Sequence, residues 1–177
     1  MKKGNSPDYD KIIPELEIKE NDRILEIGYG HGLGVNRISS NYDCHITGID
    51  FSELMFKEAS KRNRKFIEQN KVELNFGNFL EYEIKPEHYD KVFCVHVIYF
   101  WDRLAEPFSK IRTGLKDGGV FCLFMAKTDY IKKMKFTKDG IFNKYSLDHV
   151  VDELKTAGFE TISYSTNNKG YSIKCKR

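Results

Sequence analysis

Residues 23–34 read RILEIGYGHGLG. An apolar run broken by one acid, Glu26, leads into glycines at every second position: Gly28, Gly30, Gly32 and Gly34. Glycine loses more conformational entropy on ordering than any other residue, so this density in one turn needs a reason. A glycine turn joining a strand to a helix lets a ligand approach the backbone. The helix N-terminus behind it offers unpaired N–H groups and positive potential. A phosphate, a carboxylate or a nucleotide would suit such a turn. A P-loop requires GxxxxGK[ST], and no lysine follows these glycines. A dinucleotide turn requires GxGxxG, but Leu33 stands where the third glycine counted from Gly28 belongs, and Val35 where that counted from Gly30 belongs. The run is GxGxG.

Two acids sharpen the choice. Glu26 precedes the first glycine by two residues, where a carboxylate aimed into the turn would repel a pyrophosphate and attract an ammonium group. Asp50 closes the apolar run CHITGID (44–50), where a carboxylate can accept hydrogen bonds from a ribose diol. A ligand with a ribose, a positive amino group and a carboxylate satisfies both, and S-adenosylmethionine has all three.

Outward from this stretch, strand-like runs alternate with helix-like ones, the pattern of an α/β domain. Strands are expected at 23–28, 44–50, 71–76, 89–98 and 120–127. The run YDKVFCVHVI (89–98) is almost unbroken, as a central strand covered on both faces should be. Helices are expected to open near Leu33, at Ser52 and around Pro107, a residue suited to a first turn. The Ser52 helix would set Met55, Ala59, Phe66 and Ile67 on one side and leave Lys61, Arg62, Arg64 and Lys65 solvated. Ser146 is a good N-cap for LDHVVDELKTAG, and Gly158 a good left-handed stop. The last two runs, FETISYST and YSIKCKR, flank NNKG and so form an antiparallel hairpin turning at Gly170. Residues 127–145 form a connection too long for a compact domain's ordinary loops, and are expected to be a mobile lid or substrate loop.

LEIGYGHG, GIDFS, NFGNF, YDKVFCVHVIYFW and LKDGG occur in the order and spacing of the class I S-adenosylmethionine-dependent methyltransferases, and the chain resembles that family from Asn21 onward. It looks most like the small-molecule methyltransferases related to the ubiquinone and menaquinone biosynthesis enzymes. The resemblance implies a Rossmann-like, doubly wound α/β fold with a seven-stranded, mostly parallel sheet of order 3-2-1-4-5-7-6 and an antiparallel C-terminal strand. It assigns Glu26, Gly28 and Gly30 to the methionine end of the cofactor and Asp50 to the ribose. Phe51 and Met55 would pack around ribose and adenine; Asn78 and Phe79 match the adenine-contacting position, with Asn78 where the family often has Asp. Val95 falls where cofactor meets substrate. Relatives often carry a longer N-terminal segment over the site; here the lead is expected to supply a short cap of one modest helix.

The 177 residues suit a single domain, 1–177. A formal charge of +3 is too small to argue for nucleic acid, and VHVIYFW stands where nucleic-acid amino-methyltransferases carry [DNS]PP[YFW]. No apolar run approaches the roughly 20 residues of a membrane span, and MKKGNSPDYD lacks the hydrophobic segment of a signal peptide. Cys44, Cys94, Cys122 and Cys175 form no CxxC pair, and the histidines lack metal-ligand spacing. The expectation is a cytoplasmic monomer or homodimer without a structural metal, acting on a small-molecule acceptor.

Methyl transfer from a sulfonium is an in-line displacement, for which holding donor and acceptor about 3 Å apart supplies much of the catalysis. A neutral oxygen or nitrogen acceptor also needs a base. His96, near the C-terminal end of an apolar strand, is the first candidate, and Tyr99 the second. Tyr99, Phe100 and Trp101 read either as a substrate wall or as the apolar start of the next helix. Two other functions compete: a non-catalytic S-adenosylmethionine-binding domain, and a nicotinamide-dependent oxidoreductase, which GxGxG and Glu26 disfavour.

Overall fold

The computed structural model describes residues 6–127 and 143–177, so the expected lid at 127–145 lies, over 128–142, outside the described residues. The expected strands form as β1 (Arg23–Ile27), β2 (His45–Asp50), β3 (Val72–Phe76), β4 (Tyr89–Val95), β5 (Leu115–Ala126), β6 (Glu160–Thr166) and β7 (Gly170–Lys176). They make one sheet of order β3-β2-β1-β4-β5-β7-β6. Pairing is parallel from β3 through β5, and antiparallel where β7 inserts between β5 and β6. This is the order that the family resemblance implies.

The helices are α1 (Ser6–Glu15), α2 (Leu33–Asn41), α3 (Glu53–Glu68), α4 (Ala105–Gly114) and α5 (Leu147–Thr156). Ser52 and Ser146 cap α3 and α5 as expected, accepting from the amides of Met55 (3.4 Å) and His149 (3.2 Å). Side chains alternate across a strand, so each strand feeds two cores. Leu25, Ile27, Cys94 and Leu123 face Phe108 and Ile111 of α4 and Val150 and Leu154 of α5. Ile24, Ile46, Phe93 and Val95 face Ile12 of α1, Val35 and Ile38 of α2 and Ala59 of α3.

Two expectations give way to local geometry. The strand expected over 89–98 ends at Val95, because His96 takes a left-handed φ of 61° and turns the chain into a 3-10 turn at Ile98–Phe100. Arg62 is not simply solvated: its Nε donates to the His31 carbonyl at 2.8 Å. Beside it the fully buried Asn63 donates to the Gly32 carbonyl at 3.1 Å. Together they tie α3 to the glycine turn.

The four glycines serve different ends. Gly28, Gly30 and Gly32 take positive φ values of 70°, 51° and 75° and shape the turn itself. Gly32 and Gly34 make room for neighbours. A Cβ on Gly32 would lie 2.8 Å from that of Ala59, and one on Gly34 within 2.5 Å of both the Glu26 carboxyl and the Tyr9 ring. The last glycine therefore seats α1 against β1 and α2. Gly34→Ala is expected to destabilise the fold by about 1–3 kcal/mol through overpacking. Urea denaturation checks this, and an unchanged midpoint would contradict the seating role.

Candidate active site

The turns following β1, β2 and β4 meet at the C-terminal edge of the sheet, where open α/β folds bind their ligands. They bound a pocket of about 520 Å³. Gly28 and Gly30 form one side; Asp50, Phe51 and Met55 follow from β2 into α3; Asn78 and Phe79 come from beyond β3; Val95 and His96 end β4. The structure thus brings together all of the expected site residues except Glu26 and Tyr99.

Asp50 organises the pocket. Its Oδ2 accepts from the Gly30 amide at 2.8 Å and its Oδ1 from the Ser52 amide at 2.9 Å. Each carboxylate oxygen carries two lone pairs, so half of its accepting capacity stays available to a ligand's hydroxyls. Among the described residues no Lys or Arg lines the pocket. A sulfonium or ammonium entering the pocket would find the Asp50 carboxylate.

The Asn78 side chain is turned partly to its own loop, accepting from the Leu80 amide at 3.1 Å and donating to Glu81 at 3.3 Å. Phe79 packs against Trp101 with ring centroids 6.0 Å apart. Trp101 and Phe100 both line the pocket. Phe51 and Phe100, 61% and 42% exposed, pair at 5.5 Å to form an apolar rim.

Tyr99 turns the other way. It is buried, its hydroxyl accepts from the Ala126 amide, and it is not among the lining residues. Burial raises its pKa and takes it further from acting as a base.

Glu26 is also absent from the lining. Sharing strand parity with Ile24, it faces α1, is 0% exposed, and accepts from the Tyr9 hydroxyl at 2.8 Å. Burial pushes its carboxyl up to about 8; hydrogen bonds from Tyr9 and the Val35 amide act the other way, and Asp50 adds to the rise. Burial thus favours its uncharged form, and the carboxylate that faces the pocket is that of Asp50. Tyr9 and its neighbour Asp8, both on α1, carried no recognisable signal in the sequence. Asp8 Oδ2 lies 3.1 Å from His96 Nε2.

This fold with this site defines the class I, S-adenosylmethionine-dependent methyltransferases. A family model described as a methyltransferase domain matches residues 24–119, more than half of the chain, and the chain belongs to that family. The protein named uncharacterized methyltransferase YdaC of Bacillus subtilis is 29% identical over 157 residues, spanning 88% of this chain and 81% of its own. The sterol 24-C-methyltransferase of Candida albicans is 27% identical over 157 residues, spanning 82% of this chain but 42% of that enzyme. The chain therefore corresponds to less than half of the sterol enzyme's length. A Haemonchus contortus phosphoethanolamine N-methyltransferase 2, solved with S-adenosylmethionine, shares the fold at a TM-score of 0.82 and 18% identity, over 97% of this chain and 52% of that one.

The donor of this class fits the residues present. Open space surrounds the position of a Cβ on Gly30, Asp50 keeps accepting capacity for a diol, and apolar side chains line the rest.

The state of Glu26 makes a prediction about stability. From the ordinary carboxyl value up to about 8, the folded protein holds a proton that the unfolded chain has released. Stability then falls as pH rises through this window, by at most about 1.4 kcal/mol per pH unit, and levels off above it. Glu26→Gln, neutral throughout, is expected to flatten that slope in denaturation curves taken across the window. A wild-type slope no steeper than the variant's would contradict a neutral Glu26.

Proposed function

We propose that this chain transfers the methyl group of S-adenosylmethionine to a small, largely apolar acceptor at the C-terminal edge of its sheet. The observation that carries the reading is the pocket: an Asp50 carboxylate tied to a glycine turn, and a mouth rimmed by Phe51 and Phe100. The sterol methyltransferase relatives support an apolar acceptor; the ubiquinone and menaquinone likeness rests on sequence motifs alone.

When bound, S-adenosylmethionine supplies an electrophilic methyl group. The chain's residues do the rest by binding and orientation. Gly28 and Gly30 shape the turn, and Asp50 accepts from the ribose. Phe51, Met55, Asn78 and Phe79 wall the adenine side, and Val95 and His96 stand where the acceptor enters. Glu26 acts at one remove, by holding Tyr9 and so α1. Four free, buried cysteines suit a reducing cytoplasm. Among the described residues no helix is long and apolar enough to cross a membrane. The proposed acceptor is a small molecule rather than nucleic acid, and the proposed state is a monomer or homodimer.

Calorimetric titration with S-adenosylmethionine and S-adenosylhomocysteine is the first test. Removing the charged acceptor in Asp50→Ala is expected to weaken both ligands at least about tenfold, since a hydrogen bond to a charged group contributes about 1.5–3 kcal/mol. No binding to the folded wild type would overturn the proposal. Transfer of a labelled methyl group to members of a panel of apolar alcohols, amines and alkenes is the second test. Phe100→Ala is expected to raise the acceptor KM severalfold while leaving donor affinity unchanged. Donor binding without transfer to any acceptor in the panel would favour the non-catalytic binding domain.

A further inference from the structure

His96 is held on every side. Its amide donates to the Phe124 carbonyl at 3.0 Å, and its left-handed φ of 61° sets the ring at the tip of β4. Such a conformation is costly for a residue with a side chain, and residues held this way cluster at functional sites. The imidazole packs edge-on to Phe124 at 5.2 Å and stacked near Tyr99 at 6.3 Å. Its Nε2 meets Asp8 Oδ2 at 3.1 Å, and the two side chains are 19% and 10% exposed. The contact spans 88 positions of sequence and is delivered by α1.

An ionised carboxylate accepts hydrogen bonds and donates none, so this contact keeps a proton on Nε2. In the neutral ring the lone pair then sits on Nδ1. The same ring lines the pocket, whereas Asp8 does not. We propose that Asp8 is a positioning residue that fixes His96 as an Nδ1 base toward the acceptor, and that the acceptor is one that releases a proton on methylation. As the acceptor atom bonds the methyl carbon, that carbon's bond to sulfur breaks and its electron pair stays on sulfur. The acceptor's proton passes to His96 Nδ1, giving an imidazolium that faces the Asp8 carboxylate. The proposal rests on the methyl-transfer reading, and it adds a residue and an acceptor chemistry to it. Among the described residues, the titratable side chains that face the imidazole at these distances are Asp8, from α1, and Tyr99, from the turn after β4.

The test has an arm that needs no acceptor. Long-range proton–nitrogen NMR spectra of the full chain, in mildly alkaline buffer, report the tautomer of each histidine, and His96→Asn identifies the relevant signals. The expected result is the Nε2–H form in the wild type, moving toward a mixture of tautomers in Asp8→Ala. An Nδ1–H tautomer, or a spectrum that Asp8→Ala leaves unchanged, would overturn the proposal even where methyl transfer is confirmed.

The second arm uses the acceptor found in the transfer assay. Asp8→Ala is expected to lower kcat roughly tenfold or more, with the KM for S-adenosylmethionine changed less than about twofold; Asp8→Glu is expected to restore part of the loss. In a His96→Asn background the same Asp8 change is expected to cost nothing further, as for residues that act as a unit. An equal loss in both backgrounds would reduce Asp8 to a clamp for α1 and overturn the proposal. Absence of any transfer in the wild type would count against the methyl-transfer reading and leave the tautomer to decide the role of Asp8.

Discussion

One hydrogen bond ties the site to the sheet: the amide of Gly30 donating to Asp50 Oδ2 at 2.8 Å. It joins the turn after β1 to the end of the neighbouring parallel strand. It satisfies a buried carboxylate that would otherwise be costly, and it sets the spacing between the two. The left-handed backbone at Gly30 aims that amide, and the second Asp50 oxygen starts the turn into α3 through Ser52. From the other side Arg62 and Asn63 of α3 hold the carbonyls of His31 and Gly32. The glycine turn is thus fixed by its two flanking strands and by α3, so a ligand meets a preformed surface rather than a loop that must be ordered on binding.

The first helix links sheet, cap and pocket. Ile12 and Leu16 anchor it by burial, and neighbouring residues of its first turns send Tyr9 to Glu26 and Asp8 to His96. The Tyr9 hydroxyl satisfies one oxygen of the buried Glu26 carboxyl, and burial without a counter-charge pushes that carboxyl toward its uncharged form. The absence of a side chain at Gly34 is what lets the two groups meet there.

The fold was legible because its signals are local. Alternating runs, the two serine caps and the Gly158 stop each state a backbone preference within a few residues, and the five motifs place them in the family's sheet order; the last hairpin turns at 167–169, with Gly170 already in β7 against the Met125 carbonyl. Asp50 was legible for the same reason, as an acid at the end of an apolar strand beside a glycine turn. Glu26 is set apart from the pocket lining by its parity with Ile24, which puts it on a helix-covered face, and the nearness of the turn hid this. The end of β4 was overrun because an apolar sequence cannot show that His96 adopts a positive φ. The partnership of Asp8 and His96 was invisible: it depends on how α1 docks, and SPDYDKIIPE carries no mark of the surface on which it lies.

The sheet order carries a consequence for synthesis on the ribosome. The cofactor half, β1 to β4, and its helices emerge first and are parallel neighbours, whereas β5 waits for β7, the last strand in chain order. Until then β5 presents an unpaired edge along Val120–Ala126, every residue of which is buried in the finished protein. Such an edge invites pairing with another chain. The strands that carry the ligand-binding half thus precede, in order of synthesis, the strand that closes the sheet, and the edge of β5 stays uncovered until β7 has left the ribosome.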